Sequence, residues 1–280
     1  MATPAPLTLD DIRSTLATRR IGQHLSLHRE IASTNTEAMA QAQAGAEHGT
    51  VVVAERQTAG RGRQGRTWFS PPGTNLYCSV LIRAATLQIP LADWLSWVPL
   101  TAAVAVAEAV HRIADVSLSL KWPNDFQLNG RKVGGILCES GGVAAADPFV
   151  VIGIGLNVNA HVDSFPPDLQ PIASSLIQET YRPIDRNRLL AQWLLELEQA
   201  LDELAVQGPH RLRHAYTTRC ATLGQRVRVL LGDGTELVGT ARAIGSDGAL
   251  HVLPDLNPAH HNKNQQIIEI RAADVVHLRE

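Results

Sequence analysis

Cysteine is scarce in this chain, and its placement excludes more than it offers. Cys78, Cys138 and Cys220 are odd in number and form no C-x-x-C pair, which fits a reducing cytosol better than a disulfide scaffold. A membrane-spanning run is also missing. The longest apolar stretch, Val98 to Val110, is too short and contains Glu108. The N-terminus lacks the charged and apolar regions of a signal peptide, so a cytoplasmic protein is expected. Excess charge is absent too: the net charge of −2 argues against a nucleic-acid protein. His260-His261 has no ligand spacing, so no structural zinc and no protein-only metal site is expected. There is no internal repeat and no low-complexity segment beyond the Ala-rich start. What remains is a 280-residue chain, 45% apolar, with material for a sizeable core in one or two domains.

The segment that stands out is Gly60-Arg61-Gly62-Arg63-Gln64-Gly65-Arg66. Glycine lets the backbone reach φ > 0 and lie against a ligand. Arginine brings a permanent charge and a donor fork matched to phosphate and carboxylate. The segment follows Thr50-Val51-Val52-Val53-Ala54, which reads as a buried strand. Gly60, Gly62 and Gly65 satisfy G-x-G-x-x-G, but a dinucleotide fingerprint needs a helix next and an acid about 20 positions on. Here Thr67 to Gly73 reads as a turn, and the first acid is Asp93. No kinase motif follows. An ordinary cationic surface loop is the competing reading.

A second island runs from Lys121-Trp122-Pro123-Asn124-Asp125 to Arg131-Lys132. Val116, Leu118 and Leu120 alternate with serines, a half-buried strand. Asn129-Gly130 is a two-residue hairpin signal, so Phe126–Leu128 and Lys132–Cys138 should pair. A surface ion pair of Lys121 with Asp125 is the competing reading. Third, Val150 to Asn159 reads as a central strand in which Gly153 and Gly155 allow something close to the backbone, with Asn157 near its end. Fourth, Ser33-Thr34-Asn35 precedes a polar helix from about Thr36 and has the composition of an N-cap.

The rest reads more coarsely. A helix is expected over Leu9 to Thr18, then one strand. An Ala-rich core helix covers Val98 to Ala114, and a helix capped by Asp185 reaches about Ala205 on a leucine stripe. From Gly224 short alternating strands follow: Arg226–Leu230, Glu236–Ile244, Leu250–Leu253, Gln266–Arg271 and Val275–Leu278. They read as a small β-barrel. The boundary falls near Thr222, giving domains 1–221 and 222–280.

The four islands, in this order and spacing, resemble the bacterial biotin–protein ligases, also called biotin–acetyl-CoA-carboxylase ligases. The resemblance runs from about Ser33 to the C-terminus. It implies an α/β (α+β) catalytic domain like that of class II aminoacyl-tRNA synthetases, followed by a small SH3-like β-barrel. It implies formation of biotinyl-5′-adenylate from biotin and ATP with Mg²⁺, then transfer to a lysine of the biotin carboxyl carrier protein of acetyl-CoA carboxylase. By the same resemblance Ser33, Thr34, Asn35, Gln57, Arg61, Gly62, Arg63 and Lys132 face biotin. Arg63, Arg66, Trp68, Asn124, Lys132 and Asn157 face ATP, and Lys132, Arg63, Lys121 and Asp125 carry the chemistry.

Two departures bear on this. Many members carry an N-terminal winged-helix DNA-binding domain, whereas only Met1 to Ala32 precede the Ser-Thr-Asn motif here; DNA binding is therefore not expected, and a homodimer stays open. Position 64 is glutamine where an arginine is frequent. The alternatives carried forward are a lipoate–protein ligase, a biotin-responsive regulator and an SH3-like adaptor. The last leaves the lysine and arginine islands unexplained.

Overall fold

The computed structural model describes residues 5–87, 95–142, 147–232, 234–255, 266–271 and 273–278. In chain order the elements begin with α1 (Leu9–Thr15), β1 (Leu25–His28), α2 (Thr34–Gln43), β2 (Val51–Ala54), β3 (Leu76–Arg83), α3 (Ala84–Leu87) and α4 (Val98–Ala114). There follow β4 (Ser119–Lys121), β5 (Asp125–Leu128), β6 (Arg131–Gly141), β7 (Phe149–Leu156), α5 (Leu176–Thr180), α6 (Arg186–Gln207) and α7 (His210–Arg219). The chain ends in β8 (Arg226–Leu230), β9 (Glu236–Ile244), β10 (Leu250–Pro254), β11 (Ile268–Ile270) and β12 (Asp274–His277).

The first seven strands form one sheet in the order β1-β2-β3-β7-β6-β5-β4. Only β1 and β2 run parallel, with α2 as their crossover. Alternation along the inner strands sorts the two faces. Val51, Val53, Val80, Ile82, Ile152 and Ile154 pack under α4 and α6, while Val52, Leu81 and Val151 meet Ala38 and Ala42 of α2. The last five strands form an antiparallel sheet, β11-β10-β9-β8-β12.

Local chemistry fixes the boundaries. Asn129 and Gly130 lie at φ 51 and φ 75, the pair of positive angles that closes a two-residue hairpin matched to strand twist. The Asp185 carboxylate accepts from the N–H groups of Asn187 and Arg188, and α6 runs to Gly208, at φ 70.

Some expectations shift. The first helix ends at Thr15 rather than Thr18, because Leu16 turns to an extended conformation. The polar helix starts at Thr34, with Ser33 as its cap, so Thr34 and Asn35 belong to its first turn. The alternating segment is a strand only over Ser119–Lys121. Strand β3 and helix α7 were not anticipated. His260 and His261 lie outside the described residues.

Candidate active site

One cleft of about 1490 Å³ opens between the α2 face of the large sheet and the edge of the small one. All four islands reach it. Ser33, Thr34, Asn35 and Gln57 line one end, the loop over Gly62, Arg63 and Arg66 one wall, and Lys121, Asn124, Asp125 and Lys132 the floor. Asn157 lies deeper, and Asp274 and His277 of β12 close the far side. Lys121 and Lys132 are the only lysines among the described residues, and both are in this cleft.

The neutral end is held by a network. Thr34 donates to the Gln57 Oε1 atom through both its backbone N–H at 2.9 Å and its hydroxyl at 3.2 Å. The Gln57 amide donates to Ser70 Oγ at 3.0 Å. Asn35 is buried and fully used: Oδ1 accepts from Ser79 Oγ at 2.6 Å, and Nδ2 donates to Leu137 O at 3.1 Å and Glu139 Oε2 at 2.9 Å. The two glycines of β7 make room for these groups. A Cβ on Gly153 would stand 1.9 Å from Asn35 Oδ1, and one on Gly155 would stand 2.4 Å from Trp68 Nε1. The close approach read from the sequence is therefore made by two side chains of the same chain.

The Trp68 indole fills the space over Gly155. The Lys132 ammonium sits 5.5 Å from its ring centroid, a cation–π contact. The buried indole N–H has no hydrogen-bond partner among the described residues. Lys132 Nζ lies 2.6 Å from Asp125 Oδ1. The ion pair of Asp125 is thus with Lys132 and not with Lys121, although Lys121 and Asp125 are cross-strand neighbours. Lys121 is half-buried, and burial pulls its pKa below the usual lysine range, against the pull of Asp125. The segment after β7 braces the hairpin from outside: Lys132 N–H donates to Ile172 O and Ser174 N–H to Lys132 O, at 2.9 and 2.8 Å. Asn157 belongs to the same brace, its amide donating to Ser174 O at 2.9 Å and accepting from Asn75 at 3.4 Å.

The loop arginines are each engaged. Arg61 pairs with Glu139 at 2.7 Å. Arg63 donates to Asn124 Oδ1 and to Ala273 O, both at 3.2 Å. Arg66 spans both Asp274 oxygens at 2.7 and 2.8 Å. At the loop's tip Gln64 takes a left-handed φ of 55, followed by Gly65 at 72. Glu139 and Asp274 belong to no motif and were missed by sequence reading. Their partners lie 78 and 208 residues away in the chain, beyond any local pattern.

This geometry has known counterparts. Residues 27–157 match the biotin/lipoate A/B protein ligase family, and residues 222–278 match the biotin protein ligase C-terminal domain. A biotin–[acetyl-CoA-carboxylase] ligase of Mycobacterium tuberculosis is 36% identical over 261 residues, covering 92% of this chain and 90% of the relative. The chain belongs to the biotin protein ligase family. The bifunctional ligase/repressor BirA of Bacillus subtilis is 34% identical, over 97% of this chain and 79% of that protein. The biotin protein ligase of Aquifex aeolicus, solved with biotin and ATP, superposes with a TM-score of 0.75 at 27% identity, covering 92% of this chain and all of that one. The catalytic fold and the antiparallel C-terminal domain expected from the sequence are therefore those of a biotin protein ligase. No helix among the described residues is long and apolar enough to cross a membrane.

Proposed function

We propose that this protein is a biotin–[biotin carboxyl carrier protein] ligase of the cytoplasm, with a catalytic domain over residues 1–221 and an SH3-like domain over 222–280. The observation that carries this is the joining of two chemistries in one cleft. Neutral Thr34 and Gln57 offer both donor and acceptor groups at one end, and Arg63, Arg66, Lys121 and Lys132 gather at the other. A ureido ring bearing a carboxylate tail fits the first end and points its anion at the second.

In the first step a biotin carboxylate oxygen attacks the α-phosphorus of ATP. The bond to the β-phosphate oxygen breaks, and pyrophosphate leaves with the electron pair. Two anions must approach while charge grows on the phosphoryl oxygens. Fixed cations suit that task because their orientation costs nothing at the moment of reaction. Lys132 meets the carboxylate and α-phosphate, Lys121 and Asn124 flank it, and Arg63 and Arg66 cover the phosphates. Trp68 and Asn157 face the nucleotide; the indole N–H, buried without a partner, suits an acceptor on the ligand. Mg²⁺ prefers oxygen ligands and usually enters with substrate phosphates and one or two carboxylates. Asp125 is the floor carboxylate able to share it, and the ion would supply charge neutralisation. Ser33 caps the turn that presents Thr34, and Gly62 lets the loop lie close.

In the second step the acceptor lysine arrives protonated, with a reference pKa near 10.4. Asp125 orients the ammonium and takes a proton. The neutral amine attacks the acyl carbon, and AMP leaves with the bonding pair of the acyl–oxygen bond. Water would destroy the mixed anhydride, so the loop must cover it until the carrier docks. The test is mass spectrometry of a biotin carrier domain incubated with the protein, biotin and MgATP. One added biotinyl group on a single lysine is expected. No transfer and no pyrophosphate would overturn the proposal, and modification with lipoate instead would move the assignment to lipoate ligation.

A further inference from the structure

Glu139 belongs to none of the four islands, yet it joins two of them. Gly135 and Leu137 of β6 pair with Gly155 and Gly153 of β7, and Glu139 pairs with Val151. Directly paired residues share a face, so Glu139 faces α2 and the cleft. Its Oε2 atom accepts two hydrogen bonds, from Asn35 Nδ2 at 2.9 Å and from Arg61 Nη2 at 2.7 Å. The two donors differ in kind. Asn35 is 4% exposed, and the space it fills exists because residue 153 has no side chain. Its amide is saturated within the protein and is not free to meet a ligand. Arg61 is exposed, stands between Gly60 and Gly62, and has no other side-chain hydrogen bond among the described residues. A fixed amide beside the ring pocket and a loop guanidinium thus share one carboxylate oxygen.

We propose that Glu139 is a positioning residue that links the hold of biotin on the first turn of α2 to the docking of the arginine loop. This rests on biotin binding beside Thr34 and Gln57. Thr34 precedes Asn35 in the same helical turn, and Ser79 Oγ lies 2.8 Å from Thr34 Oγ1 and 2.6 Å from Asn35 Oδ1. A ligand that bonds Thr34 and Gln57 bears on Asn35 through the shared Ser79 hydroxyl, on Glu139 through Asn35, and on Arg61 through Glu139. The coupling is reciprocal: a docked loop returns the same free energy to biotin binding. Arg61 then serves as the anchor of the loop's first arm, leaving Arg63 and Arg66 to meet phosphate.

Trypsin cuts after arginine, so Arg61, Arg63 and Arg66 report on their own loop. In the unmodified protein, saturating biotin should slow loop cleavage on the order of tenfold. In Glu139→Gln biotin should still bind, but protection should shrink to about twofold or less, and KM for ATP should rise more than kcat falls. Arg61→Gln alone should lose protection of the cuts after Arg63 and Arg66. Adding Glu139→Gln to it should change nothing further, because the two act through one bond. A merely structural glutamate would make the double variant worse than Arg61→Gln. That result, or full protection in either single variant, overturns the proposal. If Glu139→Gln does not fold, Arg61→Gln decides alone, and retained protection there is fatal. Biotin that binds the unmodified protein without protecting the loop defeats the coupling only. Absence of biotin binding defeats the functional reading itself.

Discussion

Lys132 and Arg63 both bring a positive charge into the cleft, one from the β5–β6 hairpin and the other from the loop after β2. The hairpin is held on every side. Its turn is closed by Asn129-Gly130, its strands pair within the sheet through a bulge at Val133, residues 172 and 174 bond the Lys132 backbone, and Asp125 fixes the ammonium at 2.6 Å. The loop has no sheet to lie on. Its arginines are tied at their ends, to Glu139, Asn124, Ala273 and Asp274. Preorganisation suits a charge that must meet a transition state. Tethers that exchange carboxylate for phosphate suit charges that must close after a ligand has entered. The hairpin should therefore set rate and the loop should set retention.

The largest effect should come from Lys132→Ala, which removes the fixed cation. Pyrophosphate release with biotin and MgATP should fall on the order of a hundredfold, about 3 kcal/mol. A fall of less than about threefold would place the rate-setting charge elsewhere. Next, Asp125→Asn should slow single-turnover transfer from supplied biotinyl-AMP by about tenfold, the low end for a general base. Adenylation should fall less, because Lys132 remains. If adenylation falls and transfer does not, Asp125 serves only to hold Lys132.

Arg63→Gly should leave adenylation comparatively intact and release the adenylate early. The readout is biotin on an unrelated protein such as albumin, which should rise several-fold; no rise would erase the contrast between hairpin and loop. The smallest effect concerns stability. Burial lowers the pKa of Lys121 below its ordinary value, so the charged form is penalised in the fold. That penalty is fully present below the folded pKa and disappears as pH rises past the unfolded value near 10.4. Lys121→Met should therefore raise Tm by about 1–3 °C at neutral pH while lowering activity. The gain should shrink as pH climbs into the lysine range. A Tm difference that does not change with pH would assign the effect to packing.

Much of this was legible because it is local. A hairpin announced by Asn129-Gly130, a helix read as Val98 to Ala114 and a cap at Asp185 all depend on neighbours within a few residues. The four islands also mark the cleft, because each of them carries residues that line it. Strand β3 was readable in principle, since Leu76 to Ile82 is a nearly unbroken apolar run. Helix α7 was not: its sequence is polar, only Leu212 and Tyr216 are buried, and tertiary contacts hold it. The anchors Glu139 and Asp274 were invisible for a different reason. A carboxylate in a strand looks like solvent-facing decoration until the register shows what stands opposite.

The cleft holds every lysine of the described structure, and that has a consequence for what escapes it. Of 25 basic residues in the chain, three are lysines, and the third, Lys263, lies outside the described residues. A protonated guanidinium does not attack an acyl phosphate, because its lone pairs are delocalised and its pKa lies above about 12. The described outer surface therefore carries its side-chain positive charge in a form that is chemically deaf to activated esters. Coupling reagents aimed at amines, and a stray acyl adenylate alike, would find no lysine on the described surface outside the working cleft.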